Sequence, residues 1–594
     1  MTILPPDARG GIWKPRRLSV LWGRRPQLRT LQMHEPHARI SAPPATAASL
    51  PDDVTPSGAC ASGALIARNP ATGDEIRRVP RPSACDVHAA IARARLASVC
   101  LAQAPLSVRA RLLRRIADAL ESNAEPLARR VVAESGKTLA HALEADLAGA
   151  IAVLRHTARI GPHALSERQE WSPAGALLGR LHRSESRPLG VVALITPWNY
   201  PMGIVVSGLA PALMAGNAVV FKPSELAIDC AYALAEIVAD SLRACSLPQD
   251  ALTLLPGDGA VGEILTDGAI DHCLFTGSAA VGRRVRDKLT ARGISTSLEL
   301  GGSCPLILLE NRGGDRQAAL QTALSYALFG RLANNGQACG AVKRLYVPRA
   351  DVPAVLAALE TAMRAVRLGP PLDSATHVGP LISDRQRATL HAQIEDARAR
   401  GARILCGGVI PEGPGWYYPP TLLSDVPPGA RVLTEETFGP ALPVIAYDDA
   451  SHAVALANDS PYALTASVFG DPQEAAALAR QLTAPLVAIN DLALLNYSLP
   501  QIPWRGRQDS GWGAGVHGAP ILDALSERRY YSRNVTIRWP FLRKPPWHLH
   551  RGDCAQDAAF SARVLAFTGG SPFWRWLRPS LARGFFQRRA SRQW

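Results

Sequence analysis

Hydrophobic and polar positions along this chain repeat with the periods of helices and strands. Apolar residues recur at three- and four-residue intervals in three Ala-, Leu- and Arg-rich stretches, residues 86–101, 107–123 and 125–159, which predicts amphipathic helices. Before them, residues 68–73 have the composition of a turn next to a short strand, so the ordered body is expected to begin near Ala67.

Short apolar runs follow these helices, and each run leads into another helical pattern. The runs are residues 191–195, 218–221, 251–255 and 273–275, a second series extends from Pro305 to about Asn490, and residues 535–538 form a later strand-like run. Buried strands that alternate with helices are typical of α/β folds with largely parallel sheets. The pattern therefore predicts two α/β domains of nucleotide-binding size.

Residues 188–221 contain no charged side chain, a feature shared with membrane-spanning helices. The stretch is interrupted by Pro197, Pro201 and Pro211 and by Gly203, Gly208 and Gly216, and a spanning helix tolerates one such residue more easily than six. We expect a buried strand, a turn and a buried helix of a soluble fold.

The net charge of +15 is concentrated at the two ends of the chain. Residues 1–50 carry eight Lys or Arg and two acids, and residues 559–594 carry seven Arg and no acid, so the part between them is nearly neutral. A nucleic-acid-binding protein needs a basic stripe on its folded part. Nucleic acid is therefore not an expected partner.

The ten cysteines are scattered along the chain without a CxxC pair or a regular spacing. Disulfide frameworks are denser, and zinc sites need clustered ligands. This distribution favours a reducing, cytoplasmic compartment and no metal site.

The two ends of the chain have unusual compositions. Residues 1–64 are rich in Arg and Pro and lack the apolar run of a secretory signal, which favours a disordered extension or a true start at Met33 over a targeting arm. Residues 541–594 form a basic, aromatic tail in which Trp574 and Trp576 are interleaved with arginines. Such a segment can lie at a membrane interface, so a peripheral membrane contact is one hypothesis, with disorder or packing against the body as the alternatives.

Three polar residues in apolar or glycine-rich surroundings are candidates for chemistry. Cys339 lies between Gly336 and Gly340, and a tight turn there would lower the pKa of its thiol and supply oxyanion-binding N–H groups, unless the thiol is simply buried and inert. Asn199 follows a buried strand, where its amide could stabilise an alkoxide or only bond its own turn. Glu299 lies between leucines, where burial would raise its pKa toward that of a general base; the alternative is a carboxylate bonded to glycine N–H groups at a hinge.

Two further segments have the features of a nucleotide site. Residues 275–282 (FTGSAAVG) follow a strand and open a helix, so that backbone N–H groups could meet a pyrophosphate. Lys222 and Glu225 close another strand and could bond ribose hydroxyls, although a solvated ion pair is the simpler interpretation of these two residues alone.

These segments, PWNYP, FKPSE, FTGS, LELGG and NNGQAC in this order, resemble signatures of the aldehyde dehydrogenase superfamily. Residues 434–440 (TEETFGP) and residues 489–490 resemble two more, and the similarity extends from about residue 65 to 540. A single motif would be weak evidence, whereas seven in register are specific.

The resemblance implies an activity and a set of site residues. Cys339 would be the nucleophile that attacks an aldehyde, Glu299 the base that activates water, and Asn199 part of the oxyanion hole. The cofactor would be NAD, with NADP as the alternative. The implied cofactor-binding residues are Trp198, Lys222, Ser224, Glu225, Thr276, Gly277, Ser278, Gly282, Glu436 and Phe438.

The resemblance also implies a domain organisation. Residues 65–300 would form the NAD(P)-binding domain, residues 301–490 the catalytic domain, and residues 491–540 a return segment. A small β extension, with strands near 179–187 and 529–540, would pair subunits into a homodimer or homotetramer.

The sequence departs from the family pattern at two places. Residues 312–314 are a plausible insertion between Glu299 and Cys339, and the Gly-rich loop 503–514 has Arg505, Gln508 and Ala514 at positions where the family usually has other residues. Two alternatives to a hydrolytic enzyme therefore stay open, a CoA-acylating relative and an inactive scaffold.

The substrate is predicted only in broad terms. Tyr200, Trp504 and Trp512 suggest an apolar or aromatic tunnel, and no cluster of arginines can be assigned to the pocket. A long-chain or isoprenoid-like aldehyde is therefore expected rather than a carboxylated semialdehyde.

Overall fold

The computed structural model describes residues 63–171, 180–310 and 316–534. Four sequence predictions lie outside the described residues. They concern the N-terminal extension up to residue 62, the insertion at 312–314, the strand-like run 535–538 and the tail 541–594.

The described chain opens with an antiparallel hairpin, β1 (Ala64–Arg68) and β2 (Glu75–Pro80). Strand β1 thus begins three residues before the predicted Ala67. Helices Ala84–Gln103 and Leu106–Ser122 follow where the sequence predicts them. Ser83 and Asp86 form a reciprocal capping box at the start of the first helix, which satisfies N–H groups that the helix itself leaves unpaired.

The third predicted helical stretch, residues 125–159, is not continuous. Its elements are helices Ala124–Ser135 and Leu139–His141, a π-helical segment Ala142–Ala148, and helix Gly149–Ala164. The break falls at Gly136, whose φ of 74° is left-handed and whose added Cβ would lie 2.9 Å from Pro380 and Pro70. The apolar periodicity continues across this glycine, so periodicity alone does not reveal the break.

Two short strands precede the first parallel sheet, β3 (Arg168–Glu170) and β4 (Arg180–Pro188). The strands of that sheet are β5 (Val191–Ile195), β6 (Ala218–Lys222), β7 (Leu252–Leu254), β8 (His272–Thr276) and β9 (Ser295–Glu299). They are parallel in the order β9-β8-β5-β6-β7, which confirms the strands predicted from the apolar runs. The chain leaves β5 toward β6 and later returns to its other side at β8, and α/β sheets bind ligands at such a switch point.

Helices connect the strands of this first sheet. They are Gly203–Ala215, Ile228–Ala244, Gly259–Asp267 and Ala279–Ala291, with a 3₁₀ turn at Gln249–Ala251. All thirteen residues of Gly203–Ala215 are buried, because this helix lies in the core beneath the sheet. The uncharged stretch 188–221 is therefore the predicted strand, turn and buried helix. Among the described residues, no helix is long and apolar enough to cross a membrane.

A second, mostly parallel sheet forms from the following residues. Its strands are β10 (Cys304–Leu308), β11 (Val342–Pro348), β12 (Arg403–Cys406), β13 (Thr421–Ser424), β14 (Ala441–Tyr447), β16 (Thr465–Phe469) and β17 (Leu486–Ile489). The short strand β15 (Tyr462–Ala463) precedes β16 and does not belong to this sheet. The order is β12-β13-β14-β11-β10-β16-β17, with β12 antiparallel at one edge. The helices of this part are Arg316–Leu332, Val352–Arg364, Asp384–Ala399, Arg431–Thr434, Ala450–Asn458 and Pro472–Ala479, with 3₁₀ turns Ala333–Gly336, Arg349–Asp351 and Ala493–Ser498.

The last described segment returns to the first sheet. β18 (Arg507–Gln508) pairs with β15, β19 (Gly511–Trp512) pairs with β9, and helix Gly518–Ala524 leads into β20 (Ser526–Asn534). β20 pairs with β4 over nine residue pairs, and β3 lies on the other side of β4. The two predicted extension strands thus lie in one antiparallel sheet, although residues 535–540 fall outside the described chain.

Candidate active site

Cys339 follows a sharply turned segment and lies just before strand β11 of the second sheet. Asn334 and Asn335 adopt left-handed φ values of 55° and 57° within the 3₁₀ turn, and Gly336 follows with 76°. An added Cβ on Gly336 would lie 2.3 Å from the backbone of Gly439, so only glycine fits there. The turn leaves the Cys339 side chain half-buried, in the wall of a cavity.

The thiol of Cys339 is less acidic than the sequence suggests. Burial raises its pKa to about 12, and the nearby ammonium group of Lys343 opposes this only in part. The expectation of a lowered thiol pKa is therefore wrong for this structure, because the loss of hydration outweighs the effect of the Lys343 charge.

Asn199 lies in the turn that follows β5. Its side chain and its backbone both form hydrogen bonds with the segment that carries Cys339. Its amide Nδ2 donates to the backbone oxygen of Gln337 over 3.1 Å. Its backbone oxygen accepts from Lys137 Nζ at 2.7 Å and from Asn334 Nδ2 at 2.9 Å. One N–H of the Asn199 amide remains for a ligand, since the group has two donors.

Glu299 ends β9 and is buried, with 5% of its surface exposed. Neither carboxylate oxygen has a hydrogen-bond partner of good geometry among the described residues. Burial raises the pKa of Glu299 well above its usual range, against smaller opposing effects of the Gly506 backbone and the Arg505 charge. A carboxyl group in this setting fits the predicted base, because a raised pKa makes its ionised form a stronger base toward water than an ordinary glutamate.

Lys343 joins Cys339 to Glu436. Its ammonium group donates to the backbone oxygens of Gly302 and Cys339, at 2.5 and 3.0 Å, and forms an ion pair with Glu436 Oε1 at 2.6 Å. Glu436 also accepts from the N–H of Gly302 over 3.0 Å. The predicted ribose-binding carboxylate is thus held by a fully buried lysine.

Two of the lysines at this site, Lys137 and Lys343, are not among the residues that the sequence motifs predict. The signal that could have found them is their rarity, since the chain has six lysines among its 65 basic residues. Lys137, Lys222 and Lys343 are all buried. Burying an ammonium group is costly, so a chain that otherwise uses arginine retains lysine where a compact charge has buried partners.

The predicted adenosine-side residues cluster at the end of β6. Lys222 is buried, and its ammonium group donates to the backbone oxygens of Pro223 and Gly257, both at 2.7 Å. Burial lowers its pKa to about 8, and Glu225 opposes this shift. Ser224 Oγ donates to Glu225 Oε2 over 3.3 Å. Within the part of the chain that the structure describes, two carbonyl oxygens accept from Lys222, which leaves its third N–H for a ligand.

The predicted pyrophosphate segment lies at the end of β8. Thr276 ends the strand, and the N–H of Gly277 donates to the backbone oxygen of Glu299 over 3.1 Å. Ser278 is exposed and caps helix Ala279–Ala291, its Oγ accepting from the N–H of Val281. Gly282 packs so closely that an added Cβ would lie 2.3 Å from Leu300. The start of this helix is therefore open to an anion.

Two aromatic residues from different parts of the chain contact each other at this site. Trp198 and Phe438 meet edge to face, with ring centroids 5.5 Å apart. Lys343 Nζ lies 5.3 Å from the centroid of the Phe438 ring. The structure thus brings together the two aromatic residues that are predicted to bind the cofactor.

A cavity of about 110 Å³ opens in front of Cys339. Tyr200 and Trp504 line it, as predicted, together with Tyr497. Trp512 does not: it is 57% exposed, and the Arg286 guanidinium lies 5.5 Å from its ring. The prediction of Trp512 as a tunnel residue is therefore wrong, because the pairing of β19 with β9 directs this side chain to the surface.

The strand ends that carry these groups share one edge of the first sheet. Strands β6 and β8 lie on either side of β5, so Lys222 and Ser278 flank Asn199. Lys222 has an N–H available for a ligand, and Ser278 lies at an open helix start. Anion-binding helix starts and buried hydrogen-bond donors suit the phosphates and ribose hydroxyls of a dinucleotide. This arrangement beside a cysteine defines an NAD(P)-dependent oxidoreductase of α/β fold.

Comparison with known proteins identifies the family. The family model described as "Aldehyde dehydrogenase family" matches residues 60–530. An aldehyde dehydrogenase of Paenarthrobacter nicotinovorans is 36% identical over 466 residues, which are 78% of this chain and 98% of that protein. A probable NADP-dependent succinate-semialdehyde dehydrogenase of Synechocystis is 34% identical over 467 residues, 78% of this chain and 99% of that protein.

Solved structures give the same result. The aldehyde dehydrogenase of Mycobacterium tuberculosis in complex with NAD+ has a TM-score of 0.74 at 31% identity, covering 82% of this chain and 97% of that one. An NADP-dependent enzyme of E. coli has a TM-score of 0.73 at 30% identity, covering 79% and 95%. The chain belongs to the aldehyde dehydrogenase family, and it oxidises an aldehyde with NAD or NADP.

Proposed function

We propose that this protein oxidises its aldehyde to a carboxylic acid through a thioester on Cys339 that water hydrolyses. The observation that carries the proposal is the buried carboxyl group of Glu299, whose oxygens have no hydrogen-bond partner of good geometry among the described residues and whose charge contributes to the raised pKa of the Cys339 thiol. A buried carboxyl group with poor hydrogen bonding costs folding free energy, and such groups are found preferentially at functional sites.

The first step is attack of the Cys339 thiolate on the aldehyde carbon. The carbonyl oxygen gains negative charge and accepts hydrogen bonds from the free N–H of the Asn199 amide and from the backbone N–H of Cys339. Asn199 is held for this role because Lys137 and Asn334 both donate to its backbone oxygen. Oxidation of the adduct leaves an acyl group on the sulfur.

The second step is hydrolysis of that thioester. Glu299, when ionised, accepts a proton from water, and the hydroxide attacks the acyl carbon and displaces the Cys339 thiolate. The product acid leaves, and the thiolate is ready for another aldehyde. Transfer of the acyl group to CoA is the alternative fate, and a base of this kind favours water.

The residues at the edge of the first sheet fit the dinucleotide. Lys222, Ser224 and Glu225 would hold the adenosine ribose, Gly277 and Ser278 the pyrophosphate, and Glu436 the nicotinamide ribose. Trp198, Thr276, Gly282 and Phe438 would complete the binding surface. When bound, the nicotinamide supplies a hydride acceptor for the oxidation.

NAD is the proposed preference, with NADP as the alternative. Glu225 can accept hydrogen bonds from ribose hydroxyls, and a 2′-phosphate beside its carboxylate would meet like charge. Lys222 favours NADP instead, because its ammonium group attracts the 2′-phosphate.

Assembly and location are proposed from the same family resemblance. The sheet of β3, β4 and β20 would pair subunits into a homodimer or homotetramer, and Tyr530 on β20 is 67% exposed. Sedimentation of the wild type and Tyr530→Asp would test this, since a charge in the interface should shift the protein toward monomer. A cytoplasmic location, with a peripheral membrane contact through residues 541–594, stays a prediction.

The function is tested by following the absorbance of the reduced cofactor with NAD and NADP and a panel of aldehydes. Cys339→Ala should abolish turnover, and Glu299→Gln should give at most one burst of reduced cofactor per site, because the thioester then accumulates. Equal steady-state rates in Glu299→Gln and the wild type would contradict the role of Glu299. No turnover by the wild type until CoA is added would favour the acylating alternative, and none under any condition would favour a scaffold.

A further inference from the structure

We propose that the preferred substrate is an uncharged aldehyde with an apolar chain, rather than a semialdehyde that carries a carboxylate. This inference rests on the proposed function, since it concerns the cavity in front of Cys339. It goes further by naming the chemical class of the substrate and the residues that select it.

The inner wall of the cavity presents aromatic rings. Tyr497 and Trp504 meet edge to face, with centroids 5.0 Å apart, and Trp504 is almost fully buried. The Tyr497 hydroxyl donates to Ser207 Oγ over 3.2 Å, and Ser207 Oγ in turn lies 3.2 Å from His517 Nε2. The polar end of Tyr497 is therefore already satisfied within the protein, and its ring is the part that remains for a substrate.

The cavity offers no cation to a second charged group on the substrate. Among the described residues that line it, none is Lys or Arg. His141 lines it, but burial and the Lys137 charge lower its pKa to about 4, so the ring is neutral at physiological pH. Lys137 and Lys343 lie near the site, and each is paired with a carboxylate of the protein, Asp146 and Glu436 respectively.

The lining does include a carboxylate. Glu144 is exposed and lies beside His141 at the cavity. A carboxylated substrate would meet this like charge without a compensating cation, which disfavours its binding, whereas an uncharged chain has no such penalty. Glu144 thus acts against acidic substrates.

The outer part of the cavity is apolar and exposed. Phe329 and Leu495 line it and are 43% and 41% exposed. A cavity of about 150 Å³ holds a molecule of the size of benzene, so one of about 110 Å³ takes only the aldehyde end of a longer chain. The remaining methylenes would lie over Phe329 and Leu495 and cover surface that is otherwise in water. Burial of this kind should raise kcat/KM about two- to fourfold for each added methylene.

Four probes separate charge from chain length: pentanal, octanal, 4-oxobutanoate and its methyl ester. The carboxylate and the ester share the same reacting end and differ in charge. We expect kcat/KM to be at least about tenfold higher for the ester than for 4-oxobutanoate, and about tenfold or more higher for octanal than for pentanal. Glu144→Gln should raise the value for 4-oxobutanoate relative to the ester.

Variants at the cavity mouth test the chain-length effect. Phe329→Ser/Leu495→Ser should remove most of the advantage of octanal over pentanal. Leu499→Ser is the matched control, because Leu499 is 42% exposed but is not among the residues that line the cavity, and it should keep that advantage.

The outcomes separate the inference from the function beneath it. A kcat/KM for 4-oxobutanoate equal to or above that for the ester would overturn the inference and leave the thioester route standing, as would equal values for pentanal and octanal. No oxidation of any of the four by the wild type would overturn the proposed function and the inference together.

Discussion

The ammonium group of Lys137 donates a hydrogen bond to the backbone oxygen of Asn199 over 2.7 Å. The same group forms an ion pair with Asp146, and both side chains are fully buried. Asp146 also accepts from the N–H groups of Met202 and Gly203, each at 3.1 Å. One buried ion pair thus fixes both ends of the turn that carries the proposed oxyanion-binding amide.

Breaking this contact should slow the chemical step. Lys137→Met alone would leave the Asp146 charge buried and unpaired, at a cost of about 3–5 kcal/mol of folding free energy. In Lys137→Met/Asp146→Asn, both charges are removed while the acceptor for Met202 and Gly203 is kept. We expect this variant to fold with kcat lowered about tenfold or more, because Asn199 loses its anchor, and with little change in the KM for cofactor. Steady-state kinetics and thermal unfolding measure both.

The control for this experiment is a surface lysine. Lys288 pairs with Asp267 over 2.8 Å at the protein surface, and Lys288→Met should leave kcat close to that of the wild type. If the double variant also keeps the wild-type kcat while folding normally, Lys137 has only a structural role.

Activity should rise with pH across the neutral range. Burial raises the pKa of the Cys339 thiol to about 12, so the reactive thiolate is a minor species at neutral pH and increases as protons are removed. If the thiolate alone limits acylation, kcat/KM rises about tenfold per pH unit. The burst rate of Glu299→Gln should show the same slope, because the first step does not use Glu299. A profile that is flat above about pH 6 would mean that bound substrates lower the thiol pKa.

NADP binding should weaken as the pH rises through about 8. Burial lowers the pKa of Lys222 to about 8, so the ammonium group that attracts a 2′-phosphate loses its charge above that pH. Dissociation constants at about pH 7 and about pH 9.5 should show a larger loss of affinity for NADP than for NAD. In Lys222→Met the two cofactors should change in parallel, and a persistent difference would place the phosphate-sensitive group elsewhere.

Gly301→Ala should weaken cofactor binding. An added Cβ would lie 2.1 Å from Glu436 Oε2, so the carboxylate would have to leave the Gly302 N–H and Lys343. We expect the KM for cofactor to rise about tenfold. Gly259→Ala is the matched control, because nothing lies within 4 Å of its added Cβ. An unchanged KM in Gly301→Ala would contradict a role for Glu436 in holding the nicotinamide ribose.

Much of the fold follows from local sequence signals. The strands β5, β6 and β8 coincide with apolar runs in the sequence, and each is followed by glycines or polar residues. The glycines and polar residues after those strands place Asn199, Lys222 and Ser278 at one sheet edge, because parallel strands share the direction of their ends. These parts are predictable because each depends on a short segment of chain.

Other features depend on contacts that no short segment encodes. Lys137 directly follows the helix break at Gly136, its partner Asp146 lies in the π-helical segment, and the lysine reaches Asn199 from 62 residues away. The raised pKa of Cys339 results from burial by distant segments, whereas its glycine neighbours suggest the opposite shift. Trp512 turns to the surface because β19 pairs with β9, a register that its own sequence does not reveal.

The π-helical segment Ala142–Ala148 makes the position of Asp146 depend on the exact number of residues in this part of the chain. A π turn accommodates an extra residue within a helix, and this one carries Glu144 and Asp146. Deleting the exposed Ala148 would let α-helical bonding run through and would rotate the two flanking parts by about 100° relative to each other. The carboxylate of Asp146 would then lose its position relative either to Lys137, before the deletion, or to helix Gly149–Ala164, after it. In evolutionary terms, a one-residue deletion here is a harsher change than most substitutions at the same positions.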